Sequence, residues 1–310
     1  MLAVFSVAAG LAGVAHAEAP RVVASIAPVH SLVANVMAGV GEPRLLIRGF
    51  GSPHAYQLRP SEAADLARAD VIFWIGGNLE TVLARPLSAL SGQARVVALG
   101  EIDDMVQWPA RTAGAWAAST GDHDHAGDHA DEERGHGPVD QHLWLSPANA
   151  STMVLAIADT LAATDATNAA AYQANATRTV SRIETLARTI EQRLTPIRGV
   201  PYVVMHDAYQ YLERYFDLNA VGAVSLSPDR PPSARRLSDL REKIRALNAA
   251  CAFTEPQMAP ALLETLIEGM AVRRDFLDPL GATLPPGPDA YFAMMTANAD
   301  ALVRCLSSAN

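Results

Sequence analysis

Histidine is unevenly distributed along this 310-residue chain, and its placement indicates metal binding. Five of the nine histidines fall between residues 123 and 142, and residues 122–133 hold six acidic side chains and no basic one. Neutral imidazole and carboxylate both bind Zn²⁺, and nearby negative charge favours a dication. The tract lacks apolar periodicity and contains glycine, which predicts an exposed loop. Unless it is a plain polar linker or a tag-like artefact, we expect residues 121–137 to collect zinc through His123, His125, His129 and His136.

An ordered metal site needs ligands held by regular structure, and three histidines stand beside expected strand ends or short turns. They are His54, just beyond a short apolar run, His142, which begins His-Leu-Trp-Leu, and His206, which ends another apolar run. In doubly wound sheets, ligands bind beyond the carboxyl ends of the strands. Asp278, after a short apolar pair, would add an oxygen donor and complete a tetrahedral zinc sphere.

Each of these residues also has a structural interpretation. A single histidine near a strand end is commonly a hydrogen-bonded structural residue. Asp278 precedes Pro279 and suits a turn or a helix cap. His30, near the start of a helix in the first half of the chain, is a weaker candidate for a metal contact. The pattern alone therefore leaves the four-ligand set open.

The elements that must position these side chains alternate between strands and helices. Continuous apolar runs such as residues 71–75 predict buried parallel strands with helices packed against them. One series of βα units covers residues 21–99, and a second begins at Tyr202. Between them, residues 167–195 predict the longest helix, about 43 Å at 1.5 Å per residue. The chain is therefore expected to form an α/β protein of two βα lobes with parallel sheets, joined by this helical strut.

Several finer features can also be expected from the sequence. Ser146 and Pro147 predict a helix start, with serine as the N-cap and proline at the first helical position. Further expectations are a helix over residues 30–40, a helix over residues 259–272 and a short strand at 276–277.

Composition and the chain start limit the class of protein. The net charge is −9 and no long run of Lys or Arg occurs, which argues against a nucleic-acid partner. An apolar run over residues 2–14 precedes Ala15-His16-Ala17, which predicts a signal peptide over residues 1–17, although no basic residue precedes the run. The alternative is a short buried helix.

Two cysteines in an oxidising compartment suggest one disulfide, with two buried thiols as the alternative.

Six stretches, in order along nearly the whole mature chain, resemble one protein family. They are Ser-Pro-His-Ala-Tyr-Gln-Leu-Arg-Pro-Ser (52–61), Ala-Asp-Val-Ile-Phe-Trp-Ile-Gly (69–76), His-Leu-Trp-Leu-Ser-Pro (142–147), His-Asp-Ala-Tyr (206–209), Phe-Thr-Glu-Pro-Gln (253–257) and Leu-Asp-Pro-Leu-Gly (277–281). Each is weak alone, but the combination is specific. Together they resemble the zinc-specific solute-binding proteins of bacterial ABC importers, the ZnuA family of cluster A-I.

The resemblance implies both a fold and a site. The fold is two α/β lobes bridged by one long rigid α-helix, with the metal held between the lobes. The implied ligands fall on His54, His142 and His206, with Asp278 or a water molecule in the fourth place. Manganese and iron binders of this type tend to carry a carboxylate where this chain has His206, and imidazole there favours zinc. The acidic His-rich insertion before the second ligand is also typical of zinc members.

These inferences predict a function and an organisation. We expect a monomeric, non-enzymatic periplasmic protein that captures Zn²⁺ with high affinity and delivers it to the membrane subunit of an ABC permease. The resemblance also supports a Cys251–Cys305 disulfide. The expected parts are a signal peptide (1–17), an N-terminal lobe (18–146), connecting helices (147–196) and a C-terminal lobe (197–310).

Three alternative functions share some of these features. A manganese or iron importer component would have the same fold. A zinc hydrolase would need a catalytic base, and no His-Glu-x-x-His, Gly-x-Ser-x-Gly or phosphate-binding glycine loop occurs, which leaves Glu255 as the best candidate carboxylate. An adhesin or metal buffer would bind the metal without transport.

Overall fold

The computed structural model describes residues 19–111, 139–226 and 232–307. The expected signal peptide over residues 1–17 lies outside these ranges, as do the loop histidines His123, His125, His129 and His136. Within the described ranges, no helix combines the length and the apolar character needed to span a bilayer.

The first lobe is built on a four-stranded parallel sheet with strand order β2-β1-β3-β4. The central strands β1 and β3 are apolar and almost completely buried, as expected for a parallel sheet covered by helices. The strands are β1 (Val22–Ala24), β2 (Arg44–Leu45), β3 (Val71–Trp74) and β4 (Arg95–Ala98). The helices are α1 (Ala27–Val36), α2 (Pro60–Arg68) and α3 (Ala84–Leu90).

The second lobe repeats this topology, because its parallel sheet has the strand order β6-β5-β7-β8. In such a sheet the chain order reverses between the first and third strands, here β5 and β7, and a crevice opens beyond their carboxyl ends. The strands are β5 (Tyr202–His206), β6 (Ala220–Ser225), β7 (Cys251–Thr254) and β8 (Arg273–Phe276). The helices of this half are α6 (Gln210–Phe216), α7 (Ala234–Ala246), α8 (Ala261–Ile267) and α9 (Ala290–Leu306).

Two long helices connect the lobes. The first, α4 (Pro147–Thr164), begins as expected, with the Ser146 hydroxyl accepting from the Asn149 backbone nitrogen at 3.4 Å. The second, α5 (Ala169–Leu194), has 26 residues and spans about 39 Å. Its buried residues recur every three or four positions along one face, which is the pattern of an amphipathic helix. The two-lobe α/β fold with a long bridging helix is therefore confirmed.

Hydrogen bonds and a disulfide join the C-terminal segment to both halves of the molecule. The Ser31 hydroxyl in α1 donates to the Pro288 carbonyl at 2.8 Å. The indole of Trp144 donates to the Pro279 carbonyl at 2.7 Å, and both groups are buried. A disulfide bond joins Cys251 at the start of β7 to Cys305 in α9. The lobes are thus in direct contact and are not linked by α5 alone.

Some element boundaries differ from the sequence-based expectation. The helix expected over residues 30–40 is α1, which starts three residues earlier and ends four residues earlier, and a turn with Gly39 at φ +77° follows it. The helix expected over 259–272 ends at Ile267, shortly before Gly269 at φ +74°. The strand expected at 276–277 is β8, whose Arg-Arg-Asp start is too polar for an apolar pattern to detect.

Candidate metal centre

Three histidines from distant parts of the chain meet between the two lobes. His54, His142 and His206 each offer one ligand atom, and these atoms all lie within 4.8 Å of one another. The ring centroids are 5.0 Å apart for His142 and His206, and 5.6 and 5.7 Å apart for the two pairs that include His54. No other group of three or more His, Cys, Asp or Glu side chains converges in this way among the described residues.

Each histidine occupies a position that the fold brings to the interlobe cleft. His206 is the last residue of β5, at the carboxyl edge of the second sheet. His142 immediately precedes a single 3₁₀ turn formed by Leu143–Leu145, which is completely buried. His54 lies in the loop that follows β2 and leads to α2. The first lobe therefore contributes two histidines and the second lobe contributes one.

Two of the three imidazoles are held by buried carboxylates. His206 Nδ1 lies 2.9 Å from Glu255 Oε2, and His142 Nδ1 lies 2.8 Å from Asp140 Oδ1. A carboxylate accepts the Nδ1 proton, so the lone pair of each ring is left on Nε2, where a metal binds. In keeping with this, Nε2 of His206 is buried and makes no hydrogen bond within the described part of the chain.

His54 is held less tightly than the other two histidines. It is half-buried, and its backbone nitrogen donates to the Ser52 hydroxyl at 3.3 Å. Its ring lies edge-on to His206, with the planes 89° apart. His54 is therefore the third histidine of the group, and it comes from a loop of the first lobe.

The environment of the cluster keeps two of the rings unprotonated. Burial, together with the neighbouring His142 and His206, lowers the pKa of His54 to about 2. Burial and the adjacent His206 also hold the pKa of His142 well below its ordinary value. Burial alone would lower the pKa of His206 as well, but the carboxylates of Glu255, Asp207 and Asp140 together leave that pKa raised. Neutral imidazole is the metal-binding form, so the site is prepared for a cation.

The space enclosed by the histidines is small. The cavity has a volume of about 20 Å³ and is bordered by side chains that include Trp144, Met258 and Leu280. A single water molecule needs roughly 10–15 Å³ of such volume. The cavity therefore has room for about one water-sized group, such as a single ion.

Asp278 is buried, and the following residues Pro279 and Leu280 line the cavity, but Asp278 is not part of the converging group. Its carboxylate accepts hydrogen bonds from the backbone nitrogens of Leu280 and Thr283, both at 3.2 Å, and the Gln257 amide lies 3.4 Å away. These bonds organise the turn after β8. His30 also lies outside the group, with its Nε2 3.1 Å from the Pro43 carbonyl.

Two residues next to the site, Asp140 and Arg111, were not predicted from the sequence. Asp140 orients His142, and its position two residues earlier, in Asp-Gln-His, is the signal that could have revealed it. Arg111 makes buried ion pairs with Asp207, the neighbour of His206, and with Glu213. A lone arginine before the His-rich tract carries no comparable sequence signal. Glu255 was considered only as a candidate catalytic base, and the structure places it behind His206.

The chain is similar to known proteins over most of its length. The family model described as the zinc-uptake complex component A, periplasmic, matches residues 22–305. The high-affinity zinc uptake system protein ZnuA of Brucella suis is 39% identical, over 94% of this chain and 92% of the relative. The protein of the same name from Paracoccus denitrificans is 37% identical, over 95% and 94%. A crystal structure of ZnuA shares the fold, with a TM-score of 0.75 at 21% identity over 93% of this chain and 100% of the other. The chain therefore belongs to the ZnuA family of periplasmic zinc-uptake components.

Proposed function

We propose that this protein captures Zn²⁺ in the periplasm through His54, His142 and His206 and delivers it to the permease of an ABC importer. The protein is a solute-binding transport component and not an enzyme, in line with its family. The observation that carries the site assignment is the convergence of three imidazoles on one small interlobe cavity.

The donor set suits zinc better than the harder divalent ions. Three neutral nitrogens favour a borderline-soft ion, whereas Mn²⁺ prefers carboxylate and other oxygen ligands. Zinc is bound by imidazole nitrogen at about 2.0–2.1 Å. Ligand atoms already within 4.8 Å of one another need only small side-chain movements to reach a shared ion. A manganese or iron role is therefore not favoured.

For the fourth coordination position we propose the Asp278 carboxylate or a water molecule. Asp278 is buried and immediately precedes two residues that line the cavity, Pro279 and Leu280, which supports the first choice. Its bonds to the backbone of Leu280 and Thr283 support the second, because binding zinc would require giving some of them up. Asp278→Asn separates the two, since it removes the anionic ligand while its amide oxygen still accepts one of the two backbone hydrogen bonds of the turn. A loss of zinc affinity of tenfold or more favours the carboxylate, and an unchanged affinity favours water.

We further propose how the chain is organised, including two segments outside the described residues. Residues 1–17 are a signal peptide, and the acidic tract over residues 121–137 collects zinc with modest affinity. The mature protein is a monomer containing the Cys251–Cys305 disulfide. Its parts are an N-terminal lobe (18–146), connecting helices (147–196) and a C-terminal lobe (197–310).

Zinc titration of two variants tests the site assignment. One variant replaces His54, His142 and His206 with alanine, and the other deletes residues 121–137. We expect the triple variant to lose high-affinity binding, and the deletion to retain one tightly bound zinc per chain. Retention of tight binding by the triple variant, or its loss in the deletion variant, would contradict the proposal. Circular dichroism of both metal-free proteins establishes that they are folded.

A further inference from the structure

Two segments that flank the His-rich tract run side by side next to the metal centre. Pro109 and Val139 form an antiparallel bridge, and the backbone nitrogen of Asp140 donates to the Trp108 carbonyl at 2.9 Å. The second segment continues directly to His142. Any group fixed on the first segment is therefore also fixed relative to His142.

Arg111, on the first of these segments, binds two acids of the second lobe. Its guanidinium donates to Asp207 Oδ1 at 3.0 Å and to Glu213 Oε2. Arg111 is only 18% exposed, and the two carboxylates are 6% and 4% exposed. Removing one partner of a buried ion pair leaves an uncompensated charge, which is strongly unfavourable. The contact is therefore a firm link between the two lobes.

One of these acids is the direct neighbour of a proposed zinc ligand. Asp207 follows His206, and its backbone nitrogen donates to the Ser225 carbonyl of β6 at 3.0 Å. Arg111 holds the Asp207 side chain and β6 holds the Asp207 backbone, so the end of β5 has little freedom to move. That strand end determines where the His206 ring points.

The other acid lies on α6, which is tied to the same two segments. Tyr211 of α6 donates to the Asp140 carbonyl at 2.8 Å, and its oxygen accepts from the Trp108 backbone nitrogen at 3.1 Å. Burial raises the pKa of Glu213 to about 7, with Arg111 opposing that rise. Without the guanidinium, this carboxylate would take up a proton or move toward solvent.

We propose that Arg111 is a positioning residue for zinc, which holds His206 at the separation from His142 that a shared ion requires. This inference rests on the proposed function, because it assumes that both histidines bind zinc. Arginine suits the role because its planar guanidinium can donate to two carboxylates at once, whereas lysine is a point donor. Residues that support metal ligands in this way typically change metal affinity by about 10- to 100-fold.

Three single variants of the full chain test the inference. Arg111→Met removes the guanidinium, and Arg111→Lys keeps the charge but loses the two-acid geometry. Arg241→Met is the matched control, since it removes a guanidinium that donates to carbonyls of Thr265, Leu266 and Glu268 at the end of α8. The measurements are zinc affinity by chelator competition, the visible spectrum of Co²⁺ bound in place of zinc, and thermal unfolding of the metal-free protein.

We expect Arg111→Met to weaken zinc binding by about 10- to 100-fold and to alter the Co²⁺ bands, because the ligand geometry changes. The zinc affinity of Arg111→Lys should lie between those of Arg111→Met and the parent. Arg241→Met should keep the parent's affinity and spectrum. An Arg111→Met protein with the parent's affinity and Co²⁺ spectrum would overturn the inference. So would an equal loss of affinity in Arg241→Met, which would indicate general destabilisation.

Failure of this inference is distinguishable from failure of the proposed function. If His206→Ala loses tight zinc binding while Arg111→Met does not, the assignment of His206 as a zinc ligand is retained and only the proposed role of Arg111 is wrong. If His206→Ala binds zinc like the parent, the site assignment itself is wrong.

Discussion

His206 Nδ1 lies 2.9 Å from Glu255 Oε2, and both side chains are almost fully buried at the carboxyl ends of adjacent parallel strands. The strand register explains the contact. Tyr202 pairs with Cys251 and Val204 with Phe253, so the same offset carried two residues further brings His206 opposite Glu255. The pair stands where the chain order of the sheet reverses, the usual binding position in such folds.

Replacing Glu255 with glutamine should weaken zinc binding by about 10- to 100-fold. The amide keeps the size of the side chain but removes its negative charge, so it no longer makes the His206 ring more basic. An amide can also donate a hydrogen bond, so it no longer requires the proton of His206 to be on Nδ1. Chelator competition measures the effect. Glu264→Gln, on the exposed surface of α8, is the control and should bind zinc like the parent. Equal affinities in both variants would rule out a supporting role for Glu255.

Zinc affinity should fall as the pH falls from about 7.5 to 6, because protons compete for the ligand nitrogens. The pKa values of His54 and His142 are lowered, so these rings stay neutral across this range. The pKa of His206 is raised by Glu255, so His206 is the ring that is protonated first. Binding near neutral pH should therefore release at most about one proton per zinc, and not three.

Calorimetry in buffers of different ionisation enthalpy measures that proton release directly. The protein with residues 121–137 deleted is the suitable sample, because it lacks the histidines of the acidic tract. An affinity that does not change between these pH values, in a protein that remains folded, would contradict protonation of a ligand histidine.

Replacing Trp144 with phenylalanine should destabilise the protein. Its indole donates to the buried Pro279 carbonyl at 2.7 Å across the lobe interface, and an unpaired buried carbonyl costs about 1–3 kcal/mol. Urea unfolding measures the loss. Trp74→Phe is a useful control, because Nε1 of Trp74 has no hydrogen-bond partner in the described residues, so no bond is lost. Equal destabilisation by both substitutions would mean that the interlobe hydrogen bond contributes nothing.

Removing the Cys251–Cys305 disulfide should also lower the free energy of unfolding. The bond closes a loop with a sequence separation of 54, which corresponds to about 4 kcal/mol in the loop-entropy model. The double variant Cys251→Ala, Cys305→Ala should nevertheless bind zinc normally, because Cys251 starts β7 whereas Glu255 follows its far end. An unfolding free energy within 1 kcal/mol of the parent would contradict the expected role of the bond.

Much of the fold could be predicted because the central strands are continuous apolar runs. Val71–Trp74 and the long amphipathic α5 carry strong periodic signals, and Ser146 with Pro147 defines a helix start chemically. The ends of helices and strands were harder to predict where a single residue determines them. The helix after Ala261 stops early, shortly before a glycine at positive φ, and β8 is a polar edge strand without an apolar pattern.

The convergence of three histidines could also be predicted, whereas their role as metal ligands stays a prediction. Family motifs and the expected strand ends identified His54, His142 and His206, and the structure brings these three together. Their supporting groups depend on strand register and on contacts between lobes, which local patterns do not encode. The Glu255 contact needs the β5–β7 register, and the Arg111 contact needs the packing of two lobes.

Zinc K-edge X-ray absorption tests the central claim most directly, using the protein with residues 121–137 deleted and one equivalent of zinc. We expect scattering from three imidazoles, with zinc–nitrogen distances of about 2.0–2.1 Å, and the loss of one imidazole contribution in His206→Ala. A zinc environment with fewer than three imidazoles in the parent, or one that does not change in His206→Ala, would contradict it.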